Sequence, residues 1–313
     1  MVFWKNKRVL VTGGGGFIGK NVLKLLERET PNDIINIRKK DYDLTKESEA
    51  VKCFKKYHPD ILIHLAGKVG GLGINNEQPV EFFYNNILIN TFTIESAFRC
   101  GVNKIVTTAA GCGYPEFASL PLSEKDFWNG FPQTESAPYS IAKRMLHIQS
   151  MAYWRQHKLP IIVCLPGNVY GPYDNFNLDT AHVGPALIRK FVEAIKYDNK
   201  SITVWGDGTP TRDFVYVDDV AFGILKAAEN CKNPCLLNIS TGTETSINQL
   251  VNILTKISKY EGKIVWDKTK VNGQSRRVFG ISLAKKNIRY TPQTSIEKGF
   301  KKTFDWYSKK YFN

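Results

Sequence analysis

No stretch of about 18 consecutive apolar residues occurs in this 313-residue chain, so no segment reads as a membrane-crossing helix. The first residues lack the charged-then-apolar order of a secretory signal, and a soluble, cytoplasmic protein without a membrane partner is expected. Cysteine is sparse, six residues in all, and none falls at metal-ligand spacing. Cys231 and Cys235 bracket Lys-Asn-Pro with no His/Cys set following, which predicts reduced thiols and no metal site. No internal repeat or low-complexity tract is present, excluding a solenoid and a long disordered linker. Acidic residues are outnumbered, 29 Asp and Glu against 43 Lys and Arg, for a formal charge of +14. The lysines are scattered, from Lys5 and Lys7 through Lys39, Lys40, Lys55 and Lys56 to Lys301 and Lys302, and form no single stripe interleaved with aromatics. Nucleic acid is therefore not the expected partner, whereas a small anionic ligand suits the surplus charge.

What is present points to redox chemistry. Residues 8–22 run from an apolar stretch through a glycine cluster into a helical pattern, with Gly13, Gly16 and Gly19 at TGxxGxxG spacing. After a strand and before a helix, that spacing gives a tight turn, a close approach to a pyrophosphate and close helix–strand packing. Tyr139 and Lys143 stand four apart, so on a helix they share a face. An ammonium beside a phenol favours the phenolate, bringing proton exchange with a sugar hydroxyl within reach near neutral pH. Together the two motifs predict a nicotinamide-dinucleotide site.

Apolar runs at Arg8–Val11, Ile34–Ile37, Ile61–Leu65, Lys104–Thr108 and Ile161–Leu165 alternate with helical stretches, the longest around Pro79–Cys100 and Tyr139–His157. This is the pattern of parallel βαβ units and predicts an α/β, doubly wound Rossmann sheet. A dinucleotide-binding domain over residues 1–165, with a return segment near 213–240, and a smaller α/β substrate domain over most of 166–313 are expected. A chain that is 42% hydrophobic is long enough for such a core.

Further motifs give the chain a recognisable likeness. Lys68-Val69-Gly70-Gly71, Cys112-Gly113-Tyr114-Pro115, the run from Asn168 through Tyr170-Gly171-Pro172 to Phe176, His182 to Lys190, and Val204-Trp205-Gly206 to Phe214 accompany Tyr139 and Lys143. Over nearly its whole length the sequence resembles the extended short-chain dehydrogenase/reductases that modify nucleotide sugars, in particular the GDP-L-fucose synthase branch. The resemblance implies Tyr139 as acid/base at the sugar carbon-4 oxygen, Lys143 as its electrostatic partner and ribose ligand, and Cys112 and His182 as the groups exchanging protons at carbons 3 and 5. It implies Gly13, Gly16, Phe17, Ile18, Arg38, Asp43, Leu44, Leu65, Ala66 and Lys143 around the cofactor. For the substrate it implies Lys68, Asn168, Lys190, Trp205 and Arg212, with Arg276 joining them. A homodimer paired through the two long helices follows from the same likeness.

Two departures shape the functional expectation. The family's hydroxyl donor to the reacting oxygen is replaced by Ala110, and the glycine loop carries no cation for a 2′-phosphate, although Arg38, Lys39 and Lys40 follow the second strand. The leading expectation is a tightly held NAD that oxidises carbon 4 of a GDP-linked manno-type sugar, with NADP as the other cofactor. The alternative is a 3,5-epimerase/4-reductase of the GDP-L-fucose synthase type using NADP(H). A 4-epimerase also needs only the Tyr/Lys pair, a 4,6-dehydratase is disfavoured by Gly111 and Cys112 where its Asp-Glu pair would stand, and a non-catalytic NAD-binding or RNA-associated relative is the weakest reading.

Overall fold

The computed structural model describes residues 3–270 and 273–312. The chain runs β1 (Arg8–Thr12), α1 (Phe17–Leu26), β2 (Asp33–Ile37), α2 (Glu47–Tyr57), β3 (Ile61–His64), α3 (Leu72–Glu77), α4 (Pro79–Arg99), β4 (Lys104–Thr108), α5 (Ala137–His157) and β5 (Ile161–Pro166). It continues through β6 (Asn168–Tyr170), α6 (Val183–Lys196), β7 (Ser201–Trp205), β8 (Thr211–Arg212), β9 (Phe214–Tyr216), α7 (Val217–Asn230) and β10 (Cys235–Ile239). The last elements are β11 (Thr245–Ser246), α8 (Ile247–Ser258), β12 (Lys263–Asp267), β13 (Arg276–Arg277), α9 (Ser282–Ile288) and α10 (Ile296–Phe312).

Strand periodicity builds two apolar layers from one sheet. Val9, Val11, Ile61, Ile63 and Val106 pack with residues of α1, α7 and α9, whereas their neighbours Leu10, Leu62 and Ile105 pack with residues of α2, α4 and α5. Successive side chains of a strand point to opposite faces, so a sheet covered by helices on both sides reads as continuous apolar runs. The six strands are all parallel, in the order β2-β1-β3-β4-β5-β10. The chain leaves β1 toward β2 and then resumes with β3 on the other side, so a crevice opens where β1 and β3 end. That reversal is where doubly wound sheets bind ligands.

The expected strands lie within a residue or so of those observed. β3 ends at His64 rather than Leu65, because the Leu65 amide turns to the β1 terminus, bonding the Thr12 carbonyl at 3.1 Å. Both long helices have proline in their first turn, which lacks an intrahelical acceptor for that N–H in any case. α5 therefore starts two residues before Tyr139.

A third apolar cluster joins α6, α8 and α10 to β7 and β12, with Tyr170 stacked on Phe300 at 4.0 Å. Beside it lie a three-stranded β11-β8-β13 sheet and two-stranded β12-β7 and β6-β9 sheets. Among the described residues no helix is long and apolar enough to cross a membrane.

Candidate active site

The crevice is floored by the glycine turn. Gly13 has φ of +68°, and a Cβ there would lie 2.7 Å from the Ala66 nitrogen, so only glycine lets β1 and the chain after β3 come this close. A Cβ on Gly19 would lie 2.2 Å from the Gly13 carbonyl oxygen, which seats the first turn of α1 on the loop. Gly16 is the N-cap of α1 and provides no side-chain cap, so the first-turn amides around Phe17 and Ile18 face the crevice end of the helix dipole. Leu65 and Ala66 each donate their amide to the Thr12 hydroxyl at 3.2 Å.

Arg38 follows β2 and runs beside the loop, its Cγ 3.6 Å from where a Cβ on Gly15 would stand. Its Nε donates to Asp41 at 3.1 Å in a half-exposed pair, and Lys39 and Lys40 are exposed next to it. Asp43 accepts from the Thr45 hydroxyl at 2.7 Å, which holds its carboxyl below the usual range, and Leu44 beside it is buried.

Tyr139 and Lys143 sit one helical turn apart on α5, both buried. Lys143 donates to the Thr108 carbonyl at 3.0 Å, and the Tyr139 ring meets the edge of Phe82 at 6.0 Å. Lys68 extends over the same Phe82 ring at 5.0 Å and donates to Gln78 at 3.0 Å. The expected lowering of the phenol by the ammonium is not what the site does by itself. Burial, with the nearby Cys112 adding, pushes the phenol up, and burial pulls Lys143 down to about 8. In a desolvated pocket each group's neutral form gains, and burial is the leading cause of both shifts.

Cys112 lies in a single 3-10 turn, Gly111–Gly113, that opens at Ala110. The position expected from the sequence to carry a hydroxyl donor is this alanine, which offers only a methyl group. Arg144, the residue after Lys143, anchors this turn by donating to the Gly113 carbonyl at 2.5 Å and the Gly130 carbonyl at 2.9 Å. His182 is the N-cap of α6, delivered by a loop whose Thr180 carbonyl comes within 3.2 Å of a Cβ built on Gly71. Its ring opens to solvent yet is ringed by protein, and this partial desolvation holds it below its ordinary value.

The cationic wall differs from expectation at one position. β13 pairs with β8 in parallel, with Arg277 in register with Arg212, so these two side chains share a face. Arg276 points the other way and forks onto Glu244 at 3.0 and 2.9 Å. Arg277, not Arg276, therefore joins Arg212. Arg212 donates to the Thr211 and Gln274 carbonyls, both at 2.7 Å, and burial with the Arg277 charge brings it down to about 10. Burial also lowers Arg277, which lies near Cys112. Among the described residues neither guanidinium has a carboxylate partner. Lys190 donates to the Thr203 carbonyl at 2.8 Å and lies 5.4 Å over the exposed Trp205 ring, while Asn168 begins β6, half-buried.

The model of the NAD dependent epimerase/dehydratase family matches residues 9–240. A GDP-L-fucose synthase from Sinorhizobium fredii is 34% identical over 97% of this chain and 96% of its own length. GDP-L-fucose synthase 1 from Arabidopsis thaliana is 32% identical over 99% and 95%. The crystal structure of a GDP-L-fucose synthetase from Naegleria fowleri superposes with a TM-score of 0.89 at 27% identity, covering 98% of this chain and 94% of that one. The same protein bound to NADP superposes at 0.88 and 26% identity, over 99% and 96%. With its doubly wound sheet, glycine turn and Tyr139–Lys143 pair, the chain belongs to the NAD dependent epimerase/dehydratase family and is an enzyme of its short-chain dehydrogenase/reductase class.

Proposed function

We propose that the protein reduces carbon 4 of a GDP-linked 4-keto manno-type sugar with NADPH, exchanging protons at carbons 3 and 5 in the manner of GDP-L-fucose synthase. The observation that carries this reading is the meeting of the Tyr139–Lys143 pair with Cys112 next to the unneutralised Arg212–Arg277 pair. The full-length likeness to GDP-L-fucose synthases supports it. It replaces NAD-dependent oxidation as the leading reading. A phenol held well above its ordinary value keeps its proton at neutral pH, so Tyr139 is set to donate that proton to a developing carbon-4 alkoxide.

The crevice fits a phosphorylated dinucleotide. The uncapped α1 terminus suits the pyrophosphate, and Arg38 at the end of β2, where an NAD site carries an acid for the ribose hydroxyls, suits a 2′-phosphate. The bound cofactor would supply hydride to carbon 4. Lys143, mostly ammonium below about pH 8, holds the ribose side and favours negative charge on the Tyr139 oxygen as its proton leaves. Arg212, Arg277 and Lys190 receive the diphosphate and the Trp205 ring the nucleotide end, while Lys68 and Asn168 orient the sugar. Cys112 and His182 serve carbons 3 and 5 in turn, and at each carbon one of the two takes a proton and the other returns one. The exposed apolar residues Val80, Phe83 and Tyr84 of α4 and Ile148 and Met151 of α5 support a homodimer.

The test is incubation with NADPH and a GDP-linked 4-keto-6-deoxy hexose in D2O. Loss of absorbance at the NADPH maximum with deuterium at carbons 3 and 5 is expected; NADPH left unconsumed refutes the reductase. A second reading, a tightly held NAD that oxidises the sugar, is favoured by the all-glycine loop. Release of NAD by denaturing the purified protein would favour it.

A further inference from the structure

His64 closes β3 and is 1% exposed, yet no step above uses it. Its partners form a continuous string. Thr12 and His64 are register partners on neighbouring parallel strands, so their side chains lie side by side, the Thr12 Oγ1 2.8 Å from the His64 Nδ1. The His64 Nε2 lies 3.2 Å from the Oδ1 of Asn90 on α4. The Asn90 amide nitrogen donates to the carbonyl of Ala142, the residue before Lys143 on α5, at 3.4 Å.

The donors and acceptors permit one arrangement. Asn90 spends its N–H on a carbonyl, so its oxygen faces the ring and the proton must sit on the His64 Nε2. The Nδ1 is then bare and accepts the Thr12 hydroxyl proton. That leaves the Thr12 oxygen lone pairs to receive the Leu65 and Ala66 amides, of which the Ala66 N–H abuts Gly13. The string needs a neutral ring, and burial together with the Lys143 charge keeps it so, pulling the imidazole down to about 3.

We propose that His64 is a positioning residue that ties the dinucleotide turn to the catalytic helix, one ring nitrogen fixing each side. This rests on the dinucleotide site proposed above. The two half-substitutions should therefore separate. Asparagine reproduces an acceptor near Nδ1 but does not reach Asn90; glutamine reproduces a donor near Nε2 but offers Thr12 nothing. His64→Asn should leave the NADPH Kd within about two-fold and lower kcat at saturating NADPH by roughly ten-fold, the size of one buried hydrogen bond. His64→Gln should do the reverse, raising Kd by roughly ten-fold with kcat nearly kept.

A purely structural histidine would show no such crossover, both variants losing Kd and kcat together in step with Tm, and that result overturns the proposal. Two measurements stand apart from activity. Side-chain nitrogen NMR of the unsubstituted protein should show the Nε2–H tautomer, and the Nδ1–H tautomer would refute the string even if both variants misfold. Amide exchange at Ala66, whose N–H bonds the Thr12 hydroxyl, should quicken in His64→Gln and not in His64→Asn; equal exchange in the two also refutes it. Absence of NADPH binding in the unsubstituted protein would instead sink the dinucleotide reading, with the tautomer and exchange results still deciding the role of His64.

Discussion

At the residue scale, burial keeps the proton on Tyr139, the proposed donor. Tyr139→Phe keeps the ring against Phe82 and removes only the hydroxyl, so NADPH should still bind while turnover falls by about 10²–10⁴-fold. Lys143 shapes the alkaline limb. Its folded pKa of about 8 lies below the ordinary 10.5, so the ammonium is lost as pH rises through about 8, and kcat/KM should fall over that range. A profile of kcat/KM flat to about pH 10 would show that the ammonium is not needed. The arginines give a sharper contrast. Arg277→Ala should raise KM for the GDP-sugar by about ten-fold or more with NADPH affinity unchanged, since a hydrogen bond to a charged group contributes about 1.5–3 kcal/mol. Arg276→Ala, which removes only a solvent-exposed guanidinium from the half-buried Glu244, should change KM little. Ala110→Ser restores the family's hydroxyl, and single-turnover hydride transfer should quicken by roughly ten-fold, each ~1.4 kcal/mol of transition-state stabilisation being a factor of ten. An unchanged rate would mean that the donor is already replaced. Two neighbouring arginines look alike in sequence, and Arg144 carries no motif at all. Only pairing with β8, some sixty residues away, tells Arg277 from Arg276.

At the scale of the element, what was legible follows the range of the forces. β1 to β5 and the long helices are written locally, in apolar runs, glycine spacing and first-turn prolines, and their positions on the sheet follow from parallel crossovers. The small sheets of the second half are not, because strands of two to five residues carry little periodicity and pair across long loops, as β8 does with both β11 and β13. The direction of the phenol's shift is hidden from the sequence for a related reason, since desolvation depends on the whole packed pocket rather than on spacing along α5. The β1–α1 turn offers a test in which neighbouring glycines differ. Gly13→Ala places a methyl group at positive φ, costing about 1–2 kcal/mol, and also 2.7 Å from Ala66, so Tm should drop by several degrees and NADPH binding should be lost. Gly15→Ala meets nothing nearer than the Arg38 side chain at 3.6 Å and should leave Tm unchanged. Equal losses would show that the turn tolerates no side chain anywhere, rather than one close approach.

At the scale of the whole molecule, a formal charge of +14 should keep copies of the chain apart unless apolar surface draws them together. Such surface is present on one layer. α4 and α5 pack on each other over the sheet, yet Val80 is 72%, Tyr84 59%, Met151 46%, Phe83 42% and Ile148 36% exposed. Exposed apolar groups on a pair of long helices support the proposed homodimer, in which a second copy of the same pair would complete a four-helix bundle about a two-fold axis. Sedimentation at micromolar concentration should therefore report about twice the 35.5 kDa chain mass. Met151→Glu puts a charge on that face, and in a two-fold interface the charge enters twice, so the mass should fall toward a single chain. Because α5 also carries Tyr139 and Lys143 toward the crevice, the monomer should keep NADPH binding but lose part of its turnover. A wild-type mass of one chain, or a Met151→Glu protein that stays paired, would place the interface elsewhere or remove it.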